Sequence, residues 1–443
     1  MEMNEKTLTP EAELPVSEEV TNAPAEEAVT PPEEAVTSAK NTAADEEAGT
    51  PAAEPVDEFP LDQIPNEPLV VVHRKPKKPS VLKKVLKAIG RFFLRTLLVL
   101  FTLVILAVAG LYMVCDLIFN GPSPEARNVL TMSMLESSGM KWFPAIFIGE
   151  EMVEEIRKKD NTPLPDDITD ISQIVIDKNN IVQSGSEWDG HPDGIIIEHV
   201  PGDTYSAHVM LIRDPSSVYL ATSTEHFDKS IPGVSINYQM DQEGAIAGIN
   251  GGAFFDNGTG SSQVGSVPIG LVISEGRVAW NDGRSYDGFV GFNEDNVLIV
   301  ANTMSAAQAQ ELKIRDGCCF GPVLIMNGEI NQAAYNDNSG YNPRTGIGQR
   351  ADGAVIFVCI DGRQAGSLGG GYNDMIDIMA EYGAVNACLL DGGSSTVMFY
   401  RDNYGLYGQA GTLMMVNNYS LLQQAPRRMP TYFFVRPASE DKP

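Results

Sequence analysis

Apolar and polar positions divide this chain into distinct regimes. Up to Val72 large apolar side chains are sparse among Ala, Pro, Thr and Glu, too few to offset the entropy of ordering, so residues 1–73 are expected to be a disordered acidic tail. Thr96 to Cys115 (TLLVLFTLVILAVAGLYMVC) runs for twenty residues without a charge. That is the length a helix needs to cross a hydrocarbon core, and no polar face appears over five turns, as a buried core helix would show. A transmembrane helix is expected over 96–119. Ser123 to Lys159 has helical spacing through Val129, Leu130, Met134 and Leu135, interrupted near Pro144, so 120–193 reads as a helical stalk and linker, with one strand at Gln173 to Asp177.

From Gly194 the pattern shortens to strand-like runs separated by turn residues: Gly194 to Val200, Tyr205 to Arg213, Val218 to Ala221, Pro268 to Ser274, Arg277 to Trp280, Gly288 to Asn293, Val297 to Ala301, Gly321 to Gly328, Met415 to Ser420 and Thr431 to Arg436. Many strands and few helices predict an α+β domain over 194–437, built on a mixed sheet.

Its centre is expected between Asn342 and Met398. Ala354 to Ile360 (AVIFVCI) has the continuous apolar content of a strand buried on both faces. It stops at Asp361-Gly362-Arg363. A glycine loop follows from Gly366 to Gly371, then a short helix capped by Asn373 or Asp374, with Met375, Ile376, Ile378 and Met379 inward and Gly383 at its end. Asn386 to Leu390 forms a second buried strand that stops at Asp391-Gly392-Gly393-Ser394-Ser395. In a right-handed βαβ crossover both Asp-Gly corners lie at one end of the sheet, where open α/β sheets bind ligands. The loop and helix N-terminus would offer amides to an anion, with Arg344 and Arg363 as bidentate partners for phosphate oxygens. A tight structural connection is the competing reading of the loop.

Charge changes the picture only through its segregation. The net charge of −28 hides 18 acidic and 2 basic residues in Met1 to Val72, and nine Lys or Arg without an acid in Arg74 to Arg95. A basic juxtamembrane segment over 74–95, flanking one side of the apolar run, places the tail in the cytoplasm and the domain outside a cell membrane crossed once. A cleaved signal peptide fits poorly so far from residue 1. Nothing points to nucleic acid.

Five cysteines do not make a disulfide framework here. Cys318-Cys319 lack zinc spacing. Cys359 and Cys388, on neighbouring expected strands, could pair or could be small buried hydrophobes. The five histidines fall in no metal or triad motif. Asn250-Gly251-Gly252 after the apolar Ala245 to Ile249 could aim Asn250 into a pocket or form a simple turn, and Gly258 to Gly265 could be a lid. Asp361 and Asp391 could act as an acid/base or acid/nucleophile pair on a glycoside, orient an arginine, cap turns or hold a divalent cation.

INGGAFFD at 249–256, NPRTGIGQ at 342–349, DGR at 361–363 and LLDGGSSTVM at 389–398 together resemble the phosphodiester glycosidase family, over roughly Gly194 to Pro437. The resemblance implies hydrolysis of a sugar-1-phosphodiester. It assigns Asp391, Asp361, Arg344 and Arg363 to catalysis, the arginines holding phosphate and the aspartates sharing acid, base or nucleophile duties. Asn250, Gly251, Thr345, Gly392, Gly393, Ser394 and Ser395 would bind substrate, Asn250 and Ser394 through sugar hydroxyls. The expected partners are the membrane and a glycosyl phosphodiester of a cell-envelope polymer such as a teichoic acid or capsular glycan. No cofactor is assigned, and a divalent cation stays one of the open readings of the aspartates. The rival functions are a non-catalytic module for exopolysaccharide assembly and a metal-dependent phosphodiesterase.

Overall fold

The structure, a computed structural model, describes residues 80–137, 139–157, 168–174, 187–255, 265–284, 286, 288–337, 339–418 and 425–437. The acidic tail and all but the last residue of the expected lid lie outside them.

In chain order the helices are α1 (Val81–Phe119), α2 (Pro124–Leu135), α3 (Phe143–Arg157), α4 (Ile236–Glu243), α5 (Ala306–Glu311), α6 (Gln332–Tyr335) and α7 (Tyr372–Glu381). The first strands are β1 (Ile195–Pro201), β2 (Ser206–Ile212), β3 (Val218–Thr222), β4 (Val234–Ser235), β5 (Ala247–Asn250), β6 (Leu271–Ser274), β7 (Arg277–Asn281), β8 (Phe289–Asn293) and β9 (Leu298–Ala301). The remainder are β10 (Ile314–Cys319), β11 (Val323–Met326), β12 (Glu329–Ile330), β13 (Arg344–Arg350), β14 (Val355–Ile360), β15 (Ala384–Leu390), β16 (Met398–Asp402), β17 (Thr412–Met415), β18 (Arg428–Met429) and β19 (Thr431–Val435).

Helix α1 is long and apolar enough to cross a membrane, and its most apolar window buries nothing against the protein. It starts at Val81 rather than near residue 96, because Lys83 to Arg95 contain no proline and continue the helix through Gly90. Its C-terminal end is tied down by aromatic packing: Phe119 is buried and stacks on Phe147 of α3, with ring centroids 5.0 Å apart. Gly149, at φ 75°, kinks α3. The segment after α3 is not a free linker where it is described. Ile168 bridges Ala301, and Thr169 Oγ1 donates to Val300 O at 3.1 Å while accepting from Val300 N at 2.8 Å. The strand expected from Gln173 is a 3-10 turn over Ile171–Gln173 where it is described.

The domain is strand-rich α+β, but the expected mixed sheet is a set of antiparallel ones. Strands order as β1-β2-β14-β13-β15-β11-β12, β7-β6-β10-β8-β9 and β17-β16-β5-β19-β3, with β18-β4 as a small pair. The two buried strands of the central stretch, β14 and β15, are not neighbours. Each pairs antiparallel with β13, which lies between them. In β13 (RTGIGQR) two glycines break the apolar pattern, so periodicity does not announce a strand. The glycines are there for packing: a Cβ on Gly346 would sit 2.9 Å from Met375 Sδ and Met379 Cε, and one on Gly348 3.0 Å from Met379 Sδ. Their bare backbone lets α7 lie directly on the sheet. With Met375, Ile376, Ile378 and Met379 buried under α7, this face forms one core. The other face meets the remaining sheets through Met210, Phe292, Phe357, Tyr400 and Phe433, each side chain contributing roughly 1.5–3 kcal/mol by leaving water.

The inserted β13 also settles the cysteines. Cys359 registers with Thr345, and Cys388 with Ile347, on opposite sides of that strand. Two strand spacings are about 9.6 Å, beyond the reach of a disulfide, and both thiols are free and buried. The expected strand at Met415 to Ser420 falls earlier, at β17, because Asn417 and Asn418 turn away to make polar anchors.

Candidate active site

The register of β13 fixes the geometry of the site. Arg344 pairs with Ile360 and Thr345 with Leu390, so the corners after β14 and β15 flank the start of β13. Both corners press on Pro343. A Cβ on Gly362 would come within 2.8 Å of the Pro343 ring, and one on Gly392 within 2.8 Å of Pro343 O, while Gly393 N donates to that oxygen at 2.8 Å. Only glycine allows this approach, which is the physical content of the two Asp-Gly corners.

The two aspartates have different surroundings. Asp361 is buried, and its carboxylate is consumed by the protein. Oδ1 accepts from Asn418 N at 2.8 Å, Oδ2 accepts from Asn418 Nδ2 at 2.9 Å, and His208 Nε2 stands 3.3 Å from Oδ2. Asp391 is half-buried, its Oδ1 accepting from Gly392 N at 3.0 Å.

The arginines divide in the same way. Arg344 is buried and acts as a hub: Nε donates to Gly370 O, Nη2 to Ser339 O and Gly340 O, and Nη1 pairs with Glu136 Oε2 at 2.7 Å, with the guanidinium over the Tyr372 ring. Burial alone would pull its pKa down, but the carboxylate of Glu136 outweighs that and holds the charge in place. Arg363 is exposed. Its φ of 57° is left-handed, a strained backbone for a side chain of this size, and its guanidinium lies 3.7 Å from where a Cβ on Gly393 would be. Arg427, outside the motifs, approaches the same corner from another side. Its Nη1 is 3.4 Å from both Ser394 Oγ and Ser395 Oγ, and its guanidinium lies over Phe254, 4.6 Å from the ring centre.

Asn250, expected to bind a sugar hydroxyl, points into the protein interior. It is fully buried and its amide is fully engaged: Oδ1 accepts from Thr345 Oγ1 at 2.7 Å and from Val397 N at 3.1 Å, and Nδ2 donates to Asp391 O at 2.6 Å. Asn250 and Thr345 are struts that hold the Asp391 corner. Gly251 belongs to the same frame, its O accepting from Asp391 N at 3.2 Å. The Gly366 to Gly371 loop is not an anion cradle either. Leu368 and Gly369 N–H donate to Thr204 O, Gly370 N–H to Asn342 O, Gly371 N–H to Asp374 Oδ2 and Tyr372 N–H to Ser339 Oγ. Gly371 is the helix cap, and Asp374, expected there, accepts from the Gly371 N–H from three residues on.

Sequence reasoning does not find Glu136, His208, Asn418 or Arg427, which stand outside the quoted motifs, and gives no role to Asn342, which stands inside one. Among the described residues no three His, Cys, Asp or Glu side chains converge on a metal position. Both Asp361 oxygens already accept hydrogen bonds from Asn418.

The fold and the site define a strand-rich α+β domain in which glycine corners carry the half-buried Asp391, with Arg363 near Gly393 and Arg427 near Ser394 and Ser395. Residues 243–436 match the phosphodiester glycosidase family, and this stretch of the chain is similar to that family. It is 27% identical over 191 residues to the SPbeta prophage-derived uncharacterized protein YomE of Bacillus subtilis (strain 168), a match covering 41% of this chain and 27% of that protein's length. Among solved structures it is similar to the catalytic domain of zebrafish N-acetylglucosamine-1-phosphodiester alpha-N-acetylglucosaminidase, auto-inhibited by its pro-peptide. That match has 21% identity and a TM-score of 0.42, over 58% of this chain and 87% of that one. A protein from Synechocystis is similar at 16% identity and a TM-score of 0.34, over 55% of this chain and 62% of that one.

Proposed function

We propose that this protein hydrolyses a sugar-1-phosphodiester of a cell-envelope glycan, outside a membrane crossed by α1. The observation that carries the reading is the Asp391 corner, where one half-buried carboxylate stands with Arg363 and Arg427 beside Gly393, Ser394 and Ser395. Hydrolysis at the anomeric carbon breaks the C1–O bond, water supplies the new oxygen, and the phosphate departs with the electron pair. A phosphate monoester leaves as a stable anion, so the reaction needs no acid for the leaving group. One carboxylate to activate water or attack C1 is enough, with guanidinium groups to hold the developing phosphate charge. Asp391 takes the first role, and Arg363 and Arg427 the second. Asp361, Asn250, Thr345 and Arg344 support them from below. The basic residues at the start of α1 favour its N-terminal end on the cytoplasmic side.

The test uses the full chain in detergent micelles with UDP-N-acetylglucosamine and a panel of methyl sugar-1-phosphodiesters in ¹⁸O-labelled water. Free sugar carrying the label is expected, with a loss of about 10²–10⁴-fold in Asp391→Asn. Label in the phosphate instead would mean P–O cleavage, the phosphodiesterase reaction. Glycan binding without turnover of any substrate would mean an assembly module.

A further inference from the structure

Helix α2 precedes the stretch matched by the family, yet it is seated on the site. Ser133 Oγ accepts from Tyr341 N at 2.8 Å, and Gly340, at φ 72°, passes so close that a Cβ would fall 2.4 Å from Ser133 N. This close seating brings in Glu136, the residue that caps the end of α2. Its Oε2 receives two donors at once, Arg344 Nη1 at 2.7 Å and Asn342 Nδ2 at 2.8 Å. The second contact has a consequence further on. With Nδ2 committed to Glu136, the amide of Asn342 must turn Oδ1 the other way, and there it accepts from Arg363 Nη2 at 3.0 Å. The carboxylate also attracts both guanidinium groups, which repel one another. Its side chain keeps 27% exposure, while that of Arg344 keeps 7%, so Glu136 sits at the rim of the site and Arg344 beneath it.

We propose that Glu136 is a positioning residue of the active site: acting through Asn342, it aims the guanidinium of Arg363 at the phosphate of the substrate. This rests on the glycosidase reading. It makes the segment between α1 and the domain part of the enzyme, since the 243–436 stretch alone lacks the carboxylate that orients its exposed arginine.

The experiment compares wild type, Glu136→Ala, Glu136→Gln and Asn342→Ala as full chains in micelles. Each is given the phosphodiester that wild type turns over best and the 4-nitrophenyl glycoside of the same sugar, which has no phosphate. For Glu136→Ala, KM for the phosphodiester is expected to rise about tenfold, kcat to change less, and the loss to be several times larger than for the glycoside. Glu136→Gln, isosteric and still an acceptor, should fall between, with thermal unfolding confirming that it folds. Asn342→Ala should reproduce the defect, and the double variant should be no worse than either single one. Equal losses on both substrates, or no loss, overturn the proposal. Faster turnover in Glu136→Ala overturns it too, by showing that the carboxylate blocks the site. If wild type hydrolyses neither substrate, the glycosidase reading falls by itself. Dimethyl phosphate binding, followed by NMR, then decides for Glu136: weaker binding in Glu136→Ala supports it, and equal binding overturns it.

Discussion

Asn418 grips Asp361 with both of its nitrogens, the backbone N–H on Oδ1 at 2.8 Å and the side-chain amide on Oδ2 at 2.9 Å. An Asn at 361 would turn an NH₂ toward one of those donors and leave a buried group unpaired. Asp361→Asn is therefore expected to cost about 1–3 kcal/mol of stability. Asp391→Asn, at a half-buried corner, should remove turnover while leaving the unfolding transition nearly in place. Thermal unfolding and turnover measured on the same samples separate the two roles. A dead Asp361→Asn with unchanged stability would return Asp361 to the chemistry.

Asn250 ties three pieces of chain together through Thr345, Val397 and Asp391. Asn250→Ala would strand a buried hydroxyl, a buried N–H and the Asp391 carbonyl, each of which carries a desolvation cost. The expected result is a stability loss of about 2–4 kcal/mol and, on the proposed role of Asp391, a fall in kcat with little change in KM. A rise in KM alone would mark Asn250 as a sugar ligand after all.

The parts of this protein that were legible in the sequence share one property: their signal is local. The uncharged run of α1, the apolar content of β14 and β15 and the inward methionines and isoleucines of α7 are read from neighbouring positions, and the two Asp-Gly corners were found the same way. What was not legible depends on contacts between distant residues. Strand β13 hides because Gly346 and Gly348 are chosen for closeness to Met375 and Met379, not for strand propensity. The separate surroundings of Asp361 and Asp391 depend on Asn418 and His208, which lie 57 and 153 positions from Asp361 along the chain. Glu136 reaches Asn342 across 206 positions, so no motif could contain both.

The thiols give a prediction that needs no substrate. Cys318, Cys319, Cys359 and Cys388 are buried and unpaired, and burial raises the pKa of each, that of Cys319 to about 11. Thiolate is the reactive form, so these four should resist a disulfide reagent at neutral pH and react together once the domain is denatured. Rapid modification of Cys359 or Cys388 in the folded protein would mean that the sheet opens on that side of β13.

Asp402, at the end of β16 on a different sheet, provides a pH handle remote from the site. Desolvation would raise its pKa, but it is outweighed: Leu406 N donates to Oδ1 at 2.9 Å, and Tyr407 N and Gly408 N each donate to Oδ2 at 2.7 Å, so the carboxyl titrates below its ordinary value. An acid whose folded pKa is depressed binds more protons when unfolded. Its stabilisation is thus complete above the unfolded value, about 3.9, and is lost as pH falls through the folded one. Asp402→Asn presents an NH₂ where the loop offers only donors, and should cost about 1–3 kcal/mol at neutral pH. It should also flatten the acid limb of the stability curve below about pH 4, with turnover per folded molecule unchanged. Denaturant unfolding of both proteins from neutral pH down to pH 2 checks this. Parallel curves would mean that the ring of amides contributes nothing specific to the charged carboxylate.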